Sequence, residues 1–269
     1  QKAKQVVVQK IREEERKVLY DQFSGKARDV VTGVVQRYVG RNISINLGKA
    51  DAMLTESEMV KTEVFRPTER IKVYILEVKN TPKGPRINVS RTHPELVKRL
   101  FEAEVTEIKD GTVEIMSIAR EAGSRTKIAV WSNNPNVDAV GACVGMNGAR
   151  VNAIVEELRG EKIDIINWDE NPGNLIQNAL SPAQIVAVFA DPDEKTAKVV
   201  VPDYQLSLAI GKEGQNARLA AKLTGYKIDI KSETQAKDAP GFRYEDYVDE
   251  YGDDDYEDYD ETEEYTGDE

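Results

Sequence analysis

Two tetrapeptides framed by glycine could place backbone N–H groups against phosphate. Residues 145–148 and 211–214 both read Gly-x-x-Gly, and each is followed by an apolar helix pattern. Because glycine has no side chain, a sugar-phosphate backbone can approach such a loop closely. The helix that follows adds unpaired N–H groups and the positive end of its dipole. We therefore expect both loops to bind the phosphates of a nucleic acid.

Both loops lie within a longer repeat. The first glycines, Gly145 and Gly211, are 66 residues apart, and each loop is followed by a helix, a glycine and a Lys-Ile-Asp-Ile strand. A Gly-x-x-Gly loop between helices is the element with which a KH domain holds about four nucleotides of a single strand. The alternative is that both loops are only tight turns between helices. The repeated context favours KH domains, because one isolated Gly-x-x-Gly has little specificity.

The elements that must position the loops also occur twice. In each copy, one helix and two strands are predicted ahead of the helix that leads into the loop. They lie at residues 96–101, 112–118 and 126–131 in the first copy and at residues 175–180, 185–189 and 198–201 in the second. The order helix, strand, strand, helix, loop, helix, strand is that of bacterial-type KH domains. We therefore predict two such domains, over residues 92–168 and 169–233.

The preceding segment has a different period. Its strand-like runs are β-branched or alternate strictly between polar and apolar residues, at residues 30–35, 42–47, 71–78 and 86–90. Short strands at this density are typical of a small antiparallel OB-fold β-barrel, predicted over residues 24–91. Residues 1–23 carry apolar residues at helical spacing and predict a connecting amphipathic helix. The expected fold class is α+β and multidomain.

The net charge of −11 combines two parts of opposite sign. Residues 236–269 hold 16 acidic and 2 basic residues, whereas the other 235 residues hold 32 acidic and 35 basic residues. A mildly basic body suits a polyanionic partner. Because aliphatic residues are almost absent from the C-terminal end, we predict a disordered acidic tail over residues 234–269. The chain starts at Gln1 within a helical pattern, so we expect a fragment of a longer protein.

The candidate RNA-binding residues fall into two groups. The first group lies in or just after the two loops: Gly145, Met146, Asn147, Gly148, Arg150, Gly211, Lys212, Glu213, Gly214, Gln215, Asn216 and Arg218. The second group is a basic strip on the barrel: Arg37, Arg41 and Arg91, with Tyr38 beside the first two. Basic residues with an aromatic neighbour suit a groove that follows a nucleic-acid backbone. Scattered surface charge is the alternative for the barrel group.

No arrangement of residues typical of catalysis is visible. The single histidine, His93, precedes Pro94 at a helix start, where a capping role is expected. Cys143 lies among small apolar residues, so we expect a buried hydrophobe rather than a nucleophile. The folded region has no Walker loop, metal-spaced His/Cys set or nucleophile motif. We therefore predict a non-enzyme without a cofactor or metal.

Composition also indicates the compartment. No apolar run approaches the length that spans a bilayer, and no signal peptide is visible. A single cysteine excludes an intramolecular disulfide and fits a reducing cytoplasm. We expect a cytoplasmic monomer without membrane contact.

Five stretches resemble the NusA family of bacterial transcription elongation factors, and the resemblance runs from about residue 1 to residue 233. The stretches are Ser90–Glu95, Ala122–Val130, Val140–Met146, Trp168–Pro172 and Ile210–Asn216. The resemblance implies a factor that associates with RNA polymerase and emerging RNA. It further implies modulation of pausing, termination and antitermination, with other antitermination factors as partners. The family's polymerase-binding N-terminal domain is not present in this sequence.

The barrel departs from the expected pattern at two positions. Where such barrels often carry aromatic residues that stack on bases, this sequence has Ser44 and Thr55. The barrel is therefore expected to bind RNA through charge or to serve as a spacer. Two other classes stay open, the RNA-binding part of an RNA-degrading enzyme and a ribosome-associated RNA-binding protein. The order of the domains disfavours the first, and the modest charge of the body disfavours the second.

Overall fold

A helix, a β-barrel and two α/β units follow one another in the computed structural model, which describes residues 1–248. Helix α1 (Lys2–Ser24) corresponds to the helix predicted over residues 1–23. Its C-terminal end packs on the barrel through Leu19 and Phe23. Valines and an isoleucine nearer its N-terminal end are exposed.

The barrel is closed by five strands in the order β1-β2-β3-β5-β4, with β4 paired back onto β1. The strands are β1 (Val30–Val39), β2 (Asn42–Asn46), β3 (Asp51–Leu54), β4 (Arg70–Thr81) and β5 (Gly84–Ser90). Ile43 and Ile45 are fully buried, as the alternation of this segment predicted. The pairing departs from the predicted antiparallel pattern once, because β3 and β5 pair in parallel. The long strand β4 lies between them in sequence and pairs with β5 and β1.

The first KH unit packs its helices on one face of a three-stranded sheet. Its elements are α2 (Pro94–Glu104), α3 (Thr106–Lys109), β6 (Val113–Glu121), β7 (Arg125–Ser132), α4 (Ala139–Val144), α5 (Ala149–Glu157) and β8 (Lys162–Asn167). Strand β7 is central, antiparallel to β6 and parallel to β8. Phe101, Ile128 and Ile154 lie in its core. His93 caps α2, since its Nδ1 accepts a hydrogen bond from the backbone N–H of Glu95, which confirms the predicted role.

The second KH unit repeats this arrangement. Its elements are α6 (Pro172–Ala179), β9 (Ala187–Asp191), β10 (Thr196–Val201), α7 (Leu206–Ile210), α8 (Gln215–Thr224) and β11 (Lys227–Ser232). The registers agree as well, because Lys127 pairs with Asp164 in the first sheet and Lys198 pairs with Asp229 in the second. The repeat seen in the sequence is therefore a structural repeat.

The C-terminal segment differs from its prediction. Residues 233–248 include α9 (Glu233–Ala236) and α10 (Glu245–Val248), and Ala236 and Phe242 are buried against the second KH sheet. Disorder from residue 234 onward is therefore wrong for residues 234–247. A few apolar and aromatic side chains suffice to anchor this stretch, although the average composition of the tail is strongly acidic. The rest of the predicted tail, residues 249–269, lies outside the described residues.

Within residues 1–248, no helix is long and apolar enough to cross a membrane.

Candidate nucleic-acid interface

The two Gly-x-x-Gly loops have the same backbone conformation. Gly145 has φ 75° and ψ 175°, and Gly211 has φ 77° and ψ 171°, a region that essentially only glycine adopts. A Cβ on Gly211 would lie 2.8 Å from the backbone nitrogen of Asn216, so the loop also packs too closely for a side chain there. Gly148 and Gly214 are left-handed and come directly before α5 and α8. In both loops, glycine backbone without a side chain therefore lies directly before the start of a helix.

The tips of the loops differ in charge. Met146 is 85% exposed and its neighbour Asn147 is also exposed, so the first tip carries no charge. The second tip exposes Lys212 and Glu213, which have opposite charges. Only the second loop therefore offers a cationic side chain to a phosphate.

Two residues predicted to contact RNA instead support the loops from behind. Asn216 is 3% exposed, and its side-chain amide donates to the carbonyl oxygens of Leu180 and Ala209 at 3.0 and 2.9 Å. The prediction that Asn216 contacts RNA is therefore wrong, because its donors are buried and used. Arg150 is half-buried, and its Nη1 donates to Glu107 and to the carbonyl of Ala142, both at 2.7 Å. Its hydrogen bond to Ala142 connects α5 to α4.

Arg91, the third barrel arginine predicted to contact RNA, is not on the surface. Its side chain is completely buried, with Nη2 at 2.6 Å from Glu63 Oε1 and Nε at 3.0 Å from Glu63 Oε2. Its remaining three donors reach the carbonyl oxygens of Lys72 and Glu157 at 2.8 and 3.0 Å and the Glu157 carboxylate at 3.2 Å. No donor is left for a phosphate, so the prediction of Arg91 as an RNA-binding residue is wrong. Arg91 instead joins the barrel to α5 of the first KH unit.

The other two barrel arginines are on the surface. Arg37 is an exposed residue of β1 itself, and Arg41 lies in the turn before β2, 3.6 Å from Glu56. Tyr38 is also on β1, and its hydroxyl donates to the carbonyl of Phe65. At one of the two positions where such barrels often carry a stacking ring, Ser44 is buried and its hydroxyl donates to Gln36 at 2.8 Å. Arg37 and Arg41 therefore remain candidates for contacts through charge.

The second KH unit rests on the outer face of the first KH sheet, the face that its own helices leave uncovered. Helix α8 packs against β6 and β7, where Ala119 and Ala129 share a core with residues of the second unit such as Leu219. Lys127, fully buried, donates from Nζ to the carbonyl of Ser181 at 2.8 Å and lies 3.1 Å from Asp164. The shared apolar core and the hydrogen bond from Lys127 to Ser181 hold the two KH units together.

The same contact reaches the second loop. Gln215, directly after that loop, donates to Glu121 and to Ser124, both at 2.7 Å. Arg218 donates from Nε to Glu121 and from Nη1 to the carbonyl of Glu213. The hydrogen bond from Arg218 lowers the pKa of the Glu121 carboxyl. Sequence reasoning missed Glu121 and Lys127, because nothing in their local pattern marks a residue that contacts another domain.

Comparison with known proteins agrees with this organisation. Residues 26–90 match the S1 RNA binding domain, residues 91–168 the NusA-like first KH domain and residues 172–238 the NusA-like second KH domain. A protein of Mycobacterium bovis named transcription termination/antitermination protein NusA is 46% identical over 240 residues, which are 86% of this chain and 69% of that protein. The chain belongs to the NusA family. The predicted fold, an OB-type barrel followed by two KH domains, is thereby confirmed.

Two further NusA relatives carry the same name. The protein of Bacillus subtilis is 58% identical over 238 residues, covering 88% of this chain and 64% of the relative. The protein of Thermus thermophilus is 48% identical over 232 residues, covering 86% of this chain and 60% of the relative. The chain thus spans less than two thirds of the length of these two relatives.

Proposed function

We propose that this NusA-family chain binds single-stranded RNA along its two KH domains and acts in transcription termination and antitermination. The observation that carries the proposal is the repeated loop, with one backbone conformation in both copies and a helix start behind each. Such a loop brings phosphates close to backbone N–H groups. The shared name of the relatives supports the role in transcription.

The two loops contribute differently to RNA binding. The first loop, with its uncharged tip at Met146, acts through backbone N–H groups and packing. The second adds Lys212 as a phosphate contact. Arg37 and Arg41 extend the basic surface onto the barrel. Each phosphate neutralised on a single strand adds about 0.7 to the slope of log affinity against log salt, so these contributions are measurable.

The proposed partners are emerging RNA, RNA polymerase and other antitermination factors, with the chain acting as a cytoplasmic monomer. Pausing would change because RNA held on the KH surface is constrained as it leaves the polymerase. Since the chain covers 64% of the Bacillus subtilis relative, contacts with polymerase are assigned mainly to family segments beyond this span.

A non-enzymatic role is supported by the state of the two side chains best suited to catalysis. His93 Nδ1 is occupied by the backbone N–H of Glu95 at 3.1 Å. Burial raises the pKa of the Cys143 thiol to about 12, which keeps it protonated at neutral pH. If the chain were instead part of an RNA-degrading enzyme, labelled RNA incubated with divalent metal and phosphate would shorten, and a heat-treated control would not show the loss.

The central test replaces the last glycine of each loop. Gly148→Asp with Gly214→Asp adds bulk and negative charge where phosphates approach, while aspartate tolerates the left-handed backbone better than most residues. We expect a loss of at least about tenfold in RNA affinity, or about 1.4 kcal/mol, in a chain that remains folded.

A matched control comes from the far end of α8. Gly225 has φ 76°, against 75° for Gly214, and a Cβ there would meet nothing within 4 Å. Gly225→Asp makes the same change of charge away from the loop and should leave RNA affinity close to that of the unmodified chain. Unchanged affinity in a folded double loop variant would refute the proposal.

A further inference from the structure

The outer faces of the two KH sheets are equivalent by register, yet they are covered differently. In the first sheet, Ala129 and Ile166 are covered by the second KH unit. The equivalent pair in the second sheet is Val200 and Lys231. Here the cover is residues 237–247, a short segment that we call the strap. The face that a whole domain covers in the first sheet is thus partly covered in the second by the eleven residues of the strap.

The side chains on the second face differ in kind from those on the first. The first sheet presents two small alanines, Ala119 and Ala129, to the core that it shares with α8, together with the buried Lys127. The second sheet presents the ring of Phe189, paired across the strands with Lys198. Lys227 and Lys231 lie along the neighbouring strand β11, with Asp229 between them. A sheet that presents an aromatic ring among lysines is the arrangement with which sheet-based RNA-binding domains stack bases and attract phosphates.

The strap occupies this face through contacts that a nucleic acid could also make. The ring of Tyr247 stacks on Phe189 with centroids 4.7 Å apart and an interplanar angle of 11°. The ring of Phe242 lies 5.7 Å from Lys198 Nζ and 5.1 Å from Lys231 Nζ, two cation–π contacts. Hydrogen bonds within the strap stabilise its turn. The backbone N–H of Gly241 and the side chain of Arg243 donate to Asp246, and the Tyr247 hydroxyl donates to the carbonyl of Gly241.

An open cleft remains between the strap and the sheet. Its volume is about 670 Å³, and its lining combines the rings of Phe189, Tyr244 and Tyr247 and the side chains of Lys198 and Lys227 with the carboxylates of Asp191, Glu194 and Asp229. A volume of this size is within the range of ligand-binding pockets. Rings and lysines therefore remain accessible even while the strap is in place.

We propose that the outer face of the second KH sheet is an additional binding site for single-stranded RNA, and that the strap is its intramolecular competitor. Phe189 would receive a base in place of Tyr247, and Lys198, Lys227 and Lys231 would receive phosphates. The sequence of residues 249–269 continues the strap's mixture of tyrosines with Asp and Glu, which resembles the rings and charges of a nucleic acid.

RNA is favoured over a peptide partner because of tethering. This step rests on the proposed function: an RNA already held by the two loops is present at the sheet at high effective concentration, as is the strap itself. Exchange between two tethered competitors needs only a small difference in affinity. A free peptide would have to displace the strap from solution.

The test separates this site from the loops. In the full chain, the strap is released by Gly241→Val together with Tyr247→Ala, once with intact loops, where RNA is tethered beside the sheet, and once with Gly148→Asp and Gly214→Asp, where only the sheet face is left to bind. Gly241 has φ 77°, a backbone conformation that a β-branched residue strongly disfavours, so the substitution destabilises the strap's turn and replaces no residue of the sheet. The probe is a single-stranded RNA of mixed sequence containing 4-thiouridine, followed by binding and by cross-link mapping.

We expect release of the strap to raise RNA affinity by about fivefold or more and to place cross-links on β9 and β10. Adding Phe189→Leu keeps an apolar side chain but removes the ring, and it should cancel the gain. An unchanged affinity on release, or a gain that survives Phe189→Leu, overturns the proposal. So does a released face that binds a synthetic peptide of residues 237–269 but no RNA.

The proposed function has a separate outcome. If the loop substitutions do not weaken binding in the chain with an intact strap, the KH loops are not the main site, whatever the result at the sheet face. If they weaken binding and release of the strap has no effect, only the inference about the sheet face fails.

Discussion

Arg218, one turn into the helix after the second Gly-x-x-Gly loop, is ion-paired with Glu121 at the end of β6 in the first KH unit. The pair connects the two proposed RNA-binding units beside the second loop. It also neutralises a second cation, besides Lys212, that a phosphate at that loop would meet. Under the proposed function, domain contact and RNA binding would therefore compete for one guanidinium group.

Glu121→Gln should strengthen RNA binding. The amide can still accept from Gln215, while Arg218 becomes free to contact a phosphate. We expect a gain of several-fold at low salt and a salt slope steeper by about 0.7, the increment for one phosphate contact on a single strand. Fluorescence anisotropy over a range of salt concentrations measures both quantities.

Glu114→Gln is the matched control for this change. Glu114 is on the same strand but seven residues away, roughly 20 Å along an extended chain, and it accepts from Asn133 instead. This variant should leave the slope as it is. A weaker RNA affinity in Glu121→Gln would mean that the carboxylate positions Arg218 for RNA rather than withholding it.

The stability that Glu121 provides should depend on pH. Its pKa is lowered below the usual 4.5, first by the hydrogen bond from Arg218. Because the folded-state pKa is the lower one, this stabilisation is present above the unfolded-state pKa and is lost as the pH falls through the folded-state pKa.

We therefore expect the unmodified chain to exceed Glu121→Gln in free energy of unfolding at neutral pH, with a difference that disappears in acid well below 4.5. Urea unfolding of both proteins between about pH 3 and pH 7 measures this difference. A difference that persists at the acid end would assign the stabilisation to packing rather than to the charge.

The two KH folds could be predicted from the sequence because their signals are local and occur twice. The Gly-x-x-Gly loops need left-handed or glycine-only backbone at fixed positions, and the Lys-Ile-Asp-Ile strands begin at Lys162 and Lys227 as the pattern required. Helix starts at His93 and Asn171 follow equally local capping chemistry.

Contacts between domains could not be predicted in the same way. The sequence predicts Arg91 as a surface cation at the end of a strand, but its partners Glu63 and Glu157 are 28 and 66 residues away in sequence. The sequence does not reveal that residues 234–247 pack against the second KH sheet, because the charge of residues 249–269 dominates the composition of the tail. Long-range burial decides the role of each of these residues, and a single sequence does not show it.

Arg91→Ala should destabilise the chain without removing an RNA contact. The substitution leaves Glu63, whose side chain is 2% exposed, as an unpaired buried carboxylate. Breaking a buried pair in this way costs about 3–5 kcal/mol. Arg91→Lys should restore only part of the loss, because lysine cannot make the paired contact of a guanidinium group. Urea unfolding gives the free energies.

Arg37→Ala provides the contrasting control. Arg37 is exposed on β1, so its loss should change the free energy of unfolding by no more than about 0.5 kcal/mol. Its effect, if the barrel contacts RNA, should be a shallower salt slope. A large loss of RNA affinity in Arg91→Ala, measured under conditions where that variant is folded, would restore Arg91 to the RNA-binding set.

The fixed arrangement of the two KH units makes a prediction about RNA length. Helix α8 packs on the first sheet and Lys127 donates to Ser181, so the two loops are held at a constant separation. A single strand long enough to reach both loops should bind more tightly than one of about four nucleotides, the length held by one KH domain.

Calorimetric titration with RNAs of increasing length should show affinity rising beyond that length until both loops are occupied. In Gly214→Asp the rise should stop near four nucleotides, because only the first loop remains. If four nucleotides already gave full affinity in the unmodified chain, the two loops would act separately and the continuous path across both domains would be wrong.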